Sequence, residues 1–88
     1  MIEKMTTIRN RAGIHARPAA LLVQTVKDFK CSVYIERDDD RINGKSIMGV
    51  LTLGASYGTG LKLITDGEDE EAAMEALLNL FESGFQED

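Results

Sequence analysis

The chain has one histidine, His15, and one cysteine, Cys31. A lone imidazole supports a narrow chemistry. It cannot form a His–His metal pair, and a Cys–His pair requires Cys31 and His15 to meet in the fold. One cysteine excludes an internal disulfide, and one His with one Cys gives too few ligands for a structural zinc site. What one imidazole can do is accept a group and pass it on. Its surroundings, Gly13-Ile14-His15-Ala16-Arg17-Pro18, suit that task. Proline is tolerated in the first turn of a helix, where N–H groups lack intrahelical partners. A helix starting near Ala16 puts His15 at its N-cap. Such a helix end exposes free N–H donors and a partial positive charge, and so attracts phosphate. The same field favours a neutral, nucleophilic ring. The Arg17 guanidinium can grip phosphoryl oxygens in two places, and Gly13 lets the backbone approach closely. His15 is thus a candidate phosphoryl acceptor, with Arg17 stabilising the group and Ala16, Arg17 and Pro18 forming the turn that binds it. The plainer reading is that His15 only caps a helix and Arg17 is a solvated charge. No neighbouring base is evident to turn water against a phosphohistidine. Gly44-Lys45-Ser46 is not a nucleotide-binding loop, since Asp39 stands where that motif needs its first Gly.

These residues need elements to hold them. Residues 2–8 read as a strand by β-branched content, and residues 9–14 as a loop. Ala19, Leu22, Val23 and Val26 fall at i, i+3, i+4 and i+7, the stripe of an amphipathic helix. Ser32 to Arg37 alternates as a strand, with Val33 and Ile35 on one face. Asp38-Asp39-Asp40 is a turn into a short strand at Arg41-Ile42, and Asn43-Gly44 is a second turn signal. Ser46 is the candidate N-cap of a short helix carrying Ile47, Met48, Val50, Leu51 and Leu53, with Gly54 as its stop. Residues 61–65 form a strand. Ala73, Ala76, Leu77, Leu80 and Phe81 give a last helix, whose start is crowded by Asp66, Glu68, Asp69, Glu70 and Glu71 and whose end is Gly84. The order βαββαβα predicts an α+β fold, one mainly antiparallel sheet with helices on one face.

The chain has 88 residues, 43% of them hydrophobic and 28% charged. That is one domain spanning residues 1–88, with a thin core burying roughly 60–65% of the unfolded surface. No apolar run reaches the roughly 20 residues of a membrane-spanning helix, and Met1-Ile2-Glu3-Lys4-Met5 is not a signal peptide. A cytoplasmic, metal-free domain without cofactors is expected. The charge is uneven: residues 1–35 carry six bases and two acids, while residues 66–88 carry nine acids and no base. No Lys/Arg stripe suited to nucleic acid is present. The basic end instead suits an acidic partner surface or a phosphate.

Around Ser46 two readings coexist. As an N-cap it contributes about 0.5–2 kcal/mol relative to Ala. As a phosphorylation site it would hold a phosphate at a helix start and place about two negative charges beside a docking surface. Part of a helix this short faces solvent, so Ile47, Met48 and Leu51 form a candidate apolar docking patch, continued along the first helix by Ala16, Ala20, Gln24 and Lys27.

The run from Gly13 to Ala20, GIHARPAA, resembles the active-site motif of HPr, the family of histidine-containing phosphocarrier proteins of the phosphoenolpyruvate-dependent sugar phosphotransferase system. Lys45-Ser46-Ile47-Met48-Gly49-Val50 with Leu53-Gly54 resembles that family's second motif, around its regulatory serine. The resemblance spans essentially the whole chain. It implies an open-faced β-sandwich, a four-stranded antiparallel sheet with three helices. It implies a phosphoryl carrier rather than an enzyme: enzyme I loads His15, enzyme IIA domains unload it, and Arg17 stabilises the phosphoryl group. It also implies modification of Ser46 by HPr kinase/phosphorylase. The expected protein is a monomer. An alternative is a regulatory binding module, docking to a transcriptional regulator or metabolic enzyme, and another is the nitrogen-branch paralogue, which shares the histidine chemistry without sugar transport. Ala12 departs from the family, which often has Ser or Asn there and so gains a polar group beside the imidazole.

Overall fold

Strand alternation sorts the residues into two faces. In the computed structural model, which describes residues 1–87, the elements run β1 (Ile2–Thr7), α1 (Ala16–Val26), β2 (Ser32–Arg37), β3 (Asp40–Asn43), α2 (Ile47–Thr52), β4 (Gly60–Asp66) and α3 (Glu70–Glu82), followed by a 3-10 turn at Gly84–Gln86. The four strands form one sheet in the order β1-β4-β2-β3, each neighbouring pair antiparallel. Thr65 stands between Ile2 and Val33, and Leu63 between Lys4 and Ile35, so these side chains share the inner face. Val33, Ile35, Leu61 and Leu63 on that face are fully buried. Against them pack Ala19, Leu22 and Val26 of α1, Val50 of α2, and Ala73, Met74, Leu77, Leu80 and Phe81 of α3. The other face stays open and carries a charged ladder, in which Glu36 pairs with Arg41 at 2.7 Å and Lys62 at 3.7 Å. The protein is an open-faced α+β sandwich.

Two junctions bear on the site. Strand β1 ends at Thr7, one residue short of the predicted end, because Ile8 turns into the core. Its backbone stays paired: Ile8 N–H donates to Thr59 O, and Gly58 N–H donates to Ile8 O. The α1–β2 junction is clamped by Asp69. Its two carboxylate oxygens accept the Lys30 and Cys31 N–H groups at 2.8 and 2.9 Å, respectively. Asp69 therefore does not act through the dipole of α3 alone, and it makes no side-chain cap on that helix. The Lys30 amide, above all, holds the Asp69 carboxyl below its ordinary range. Cys31 is buried, and burial pushes its thiol up.

Candidate functional site

His15 is the N-cap of α1, in extended conformation, and its side chain makes no capping bond. The first intrahelical bond of α1 runs from Ala19 N–H to His15 O. The Ala16 and Arg17 amides precede it and have no intrahelical acceptor, while Pro18 has no N–H to give. Two backbone donors thus stand unpaired by the helix, one residue and two residues after the imidazole. Pro18 is buried in the first turn of α1, where its ring fixes the turn's conformation. Ala16 and Arg17 are exposed. The Arg17 side chain lies along a shallow cavity of about 310 Å³ with Ala20, Leu21, Gln24, Phe85 and Gln86.

The loop before His15 is held from both sides. Ile14 N–H donates to Ala55 O at 2.8 Å, tying the loop to the segment after α2. Gly13 has φ +72°, and a Cβ there would lie 2.6 Å from Ala55 O and 2.9 Å from Ser56 Cα. Only glycine fits that approach. On the other side is Asn10, 1% exposed. Its Nδ2 donates to Gly13 O at 2.7 Å and to Glu87 Oε1 at 3.0 Å. The second Glu87 oxygen, Oε2, lies 3.3 Å from His15 Nε2.

That carboxylate is a neighbouring base, where the sequence made none evident. Sequence spacing gave no sign of it, because the contact joins the two ends of the chain. Asn10 was equally hidden, as one polar residue in a loop. The polar neighbour missing at Ala12 is supplied instead by Glu87. The contact also sorts the two ring nitrogens. A carboxylate against Nε2 favours the proton there, which leaves the lone pair on Nδ1. The ring keeps 44% of its side-chain surface open to solvent.

Ser46 is the N-cap of α2, and its Oγ accepts Gly49 N–H at 3.1 Å. Ile47 and Met48 are exposed, Met48 by 72%. Leu51 is half-buried and packs against the core, so it presents only part of itself. Ala20 is half-buried, and Gln24 and Lys27 are exposed. Helices α1 and α2 are packed neighbours. Among the described residues no three His, Cys, Asp or Glu side chains gather to hold a metal, and no helix is long and apolar enough to cross a membrane.

The open-faced sandwich thus offers one half-exposed imidazole beside two amides that have no intrahelical acceptor. Residues 2–83 match the family described as "PTS HPr component phosphorylation site". The chain is 46% identical to the phosphocarrier protein HPr of Treponema pallidum over 88 residues, covering all of both chains. It is 44% identical to the HPr-like protein Crh of Halalkalibacterium halodurans over 82 residues, 93% of this chain and 98% of that one. A crystal structure of HPr from Thermoanaerobacter tengcongensis, 48% identical, superposes with a TM-score of 0.95 over 100% of this chain and 99% of the other. The chain belongs to the HPr family of the phosphotransferase system.

Proposed function

We propose that residues 1–88 act as one monomeric, cytoplasmic phosphocarrier domain, taking a phosphoryl group on His15 from enzyme I and giving it to enzyme IIA domains of the sugar phosphotransferase system. The observation that carries this reading is the His15 ring, open to solvent at the start of α1 with no capping bond of its own. In the loading step the Nδ1 lone pair attacks phosphorus. The donor's bond to phosphorus breaks, and its electron pair stays with the donor. The Ala16 and Arg17 amides and the Arg17 guanidinium receive the phosphoryl oxygens. The partners supply the remaining catalytic groups, and the domain is a carrier rather than an enzyme. Docking falls on Ala16, Ala20, Gln24 and Lys27 of α1 and on Ile47, Met48 and the exposed part of Leu51 on α2. Incubation with enzyme I and phosphoenolpyruvate should add one acid-labile, base-stable phosphoryl group. Labelling that survives His15→Ala refutes the assignment. Light scattering at working concentration checks the monomer.

Regulation enters at Ser46. Its hydroxyl caps α2 at Gly49 N–H, next in sequence to the exposed Ile47-Met48 pair, so a phosphate there adds about two negative charges beside the docking surface. HPr kinase/phosphorylase with ATP should label Ser46, and the phosphorylated form should bind enzyme I more weakly. The 44% identity to a Crh protein favours one second reading, a regulatory module that binds a transcriptional regulator or metabolic enzyme. That reading predicts Ser46 labelling with no transfer from His15 to any enzyme IIA domain. The nitrogen-branch alternative predicts His15 labelling with acceptors outside sugar transport.

A further inference from the structure

The last turn of the chain is built at a conformational cost. Gly84, Phe85 and Gln86 are consecutive residues at φ +65°, +58° and +62°. Left-handed backbone costs a non-glycine residue about 1–2 kcal/mol. Strain of this kind persists where the surroundings impose it, and it gathers at functional sites. Here Phe85 is the restraint: it is 2% exposed and meets the Phe81 ring edge-on at 4.8 Å. Gly84 packs over Asn10, so that a Cβ at Gly84 would come within 3.7 Å of the Asn10 amide nitrogen. The backbone that follows turns towards the N-terminus of α1 and delivers the Glu87 carboxylate, 16% exposed, between Asn10 Nδ2 and His15 Nε2. The Asn10 side chain is fixed by that arrangement. Its Nδ2 serves two acceptors, Gly13 O and Glu87 Oε1, while its Oδ1 is buried without a partner among the described residues. An unpaired buried acceptor is unfavourable, so what orients Asn10 is the demand for a donor between those two oxygens.

From this geometry, and resting on the carrier reading above, we propose that Glu87 is a positioning residue for phosphoryl transfer at His15: moored to Asn10, it holds the imidazole through Nε2 and opposes the positive charge that grows on the ring as Nδ1 bonds to phosphorus. In that step the Nδ1 lone pair becomes the new N–P bond, and the donor keeps the electrons of the bond that breaks. The Nε2 proton stays between the ring and the carboxylate, so no further acid or base is needed. When the group leaves for an acceptor, the same contact is present in reverse, and Glu87 serves loading and unloading alike. The carboxylate touches the ring on the side away from the reacting nitrogen. It therefore acts through His15 and not on the phosphoryl group.

The test uses the full chain with ¹⁵N-labelled histidine, enzyme I and phosphoenolpyruvate. Glu87→Ala should slow single-turnover loading of His15 about tenfold, the size expected for one charge-assisted contact at a half-exposed site. The apparent KM for phospho-enzyme I should not move. The ring ¹⁵N shifts should move from the Nε2–H tautomer toward a mixture of the two. Glu87→Gln has one acceptor oxygen for the two donors, Asn10 Nδ2 and His15 Nε2, and lacks the charge, so loading should remain slowed. Asn10→Asp, which puts an oxygen where Nδ2 donates, should release Glu87 and reproduce the Glu87→Ala ring shifts. Unchanged loading by Glu87→Ala overturns the proposal, as does slowed loading with native ring shifts. Loading of Glu87→Gln at the native rate overturns its charge component. If the unaltered protein takes no label on His15, the carrier reading itself has failed, and that result is distinct from all of these.

Discussion

Gly13 and Gly54 offer a paired measurement of what the active-site loop requires. Both have left-handed backbone, at φ +72° and +55°. They differ in the room around them: a Cβ at Gly54 meets nothing within 4 Å, whereas one at Gly13 lies 2.6 Å from Ala55 O. Gly54→Ala should therefore cost the conformational term alone, about 1 kcal/mol. Gly13→Ala carries the same term and adds a collision with backbone, which cannot rotate aside. Relief moves the loop off the 53–56 segment and breaks the Ile14 N–H···O=C Ala55 bond. A lost hydrogen bond that strands buried groups adds about 1–3 kcal/mol. The expected total for Gly13→Ala is about 3 kcal/mol, a large part of the roughly 4–13 kcal/mol typical of a chain this size. Urea unfolding followed by circular dichroism measures both variants. The midpoint for Gly13→Ala should fall well below that for Gly54→Ala, with the same denaturant slope in each. Loading of His15 should slow in Gly13→Ala and stay native in Gly54→Ala, because only the first moves the residue two places before the imidazole. Equal midpoints would refute the close approach at Gly13 and the anchoring role assigned to Ala55.

Three further outcomes follow from the same geometry. Ser46→Ala removes the acceptor for Gly49 N–H and should destabilise the protein by about 0.5–2 kcal/mol in thermal or urea melts, with His15 loading retained. Arg17→Ala, at an exposed position, should leave the melting temperature within about 4 °C, a surface change of under roughly 0.5 kcal/mol, while loading of His15 slows by about tenfold or more through the lost bidentate grip. The acid limb of stability should depend on Asp69. Its carboxyl is held below the ordinary value of 3.8 by the Lys30 and Cys31 amides, so its contribution is complete above that value and disappears as pH falls through the lowered one. Asp69→Asn should flatten the stability–pH curve below about pH 4, and an acid limb unchanged by the substitution would remove Asp69 from the account.

The charge asymmetry also takes a spatial form here. The nine acids after residue 65 include Glu87, which leaves the acidic helix start altogether and ends beside the one histidine. Glu70 behaves as a helix-start acid should: its carboxylate accepts Gly67 N–H at 3.0 Å and lies below its ordinary range, chiefly because of that bond. Three acids of this C-terminal stretch thus perform three separate tasks. Asp69 clamps the α1–β2 junction, Glu70 closes the start of α3, and Glu87 reaches the site.

The pattern of residues by itself determined the order of elements, the N-cap positions of His15 and Ser46, and most of the core stripe, because these depend on local periodicity and on what proline, glycine and serine permit within a few residues. Ala19, Leu22 and Val26 are buried at their helical spacing, and Gly54 and Gly84 stand just past the helices they were expected to end. Tertiary structure alone decided that Glu87 faces Nε2, that Asn10 holds both Glu87 and the Gly13 carbonyl, and that Asp69 serves a junction far from its own helix. Each of these joins residues from separate elements through polar atoms that leave no period in the sequence. Their positions are fixed by how α1 and α3 stack on the sheet and the 84–86 turn on those helices, and that left-handed turn sets the direction of the Glu87 carboxylate.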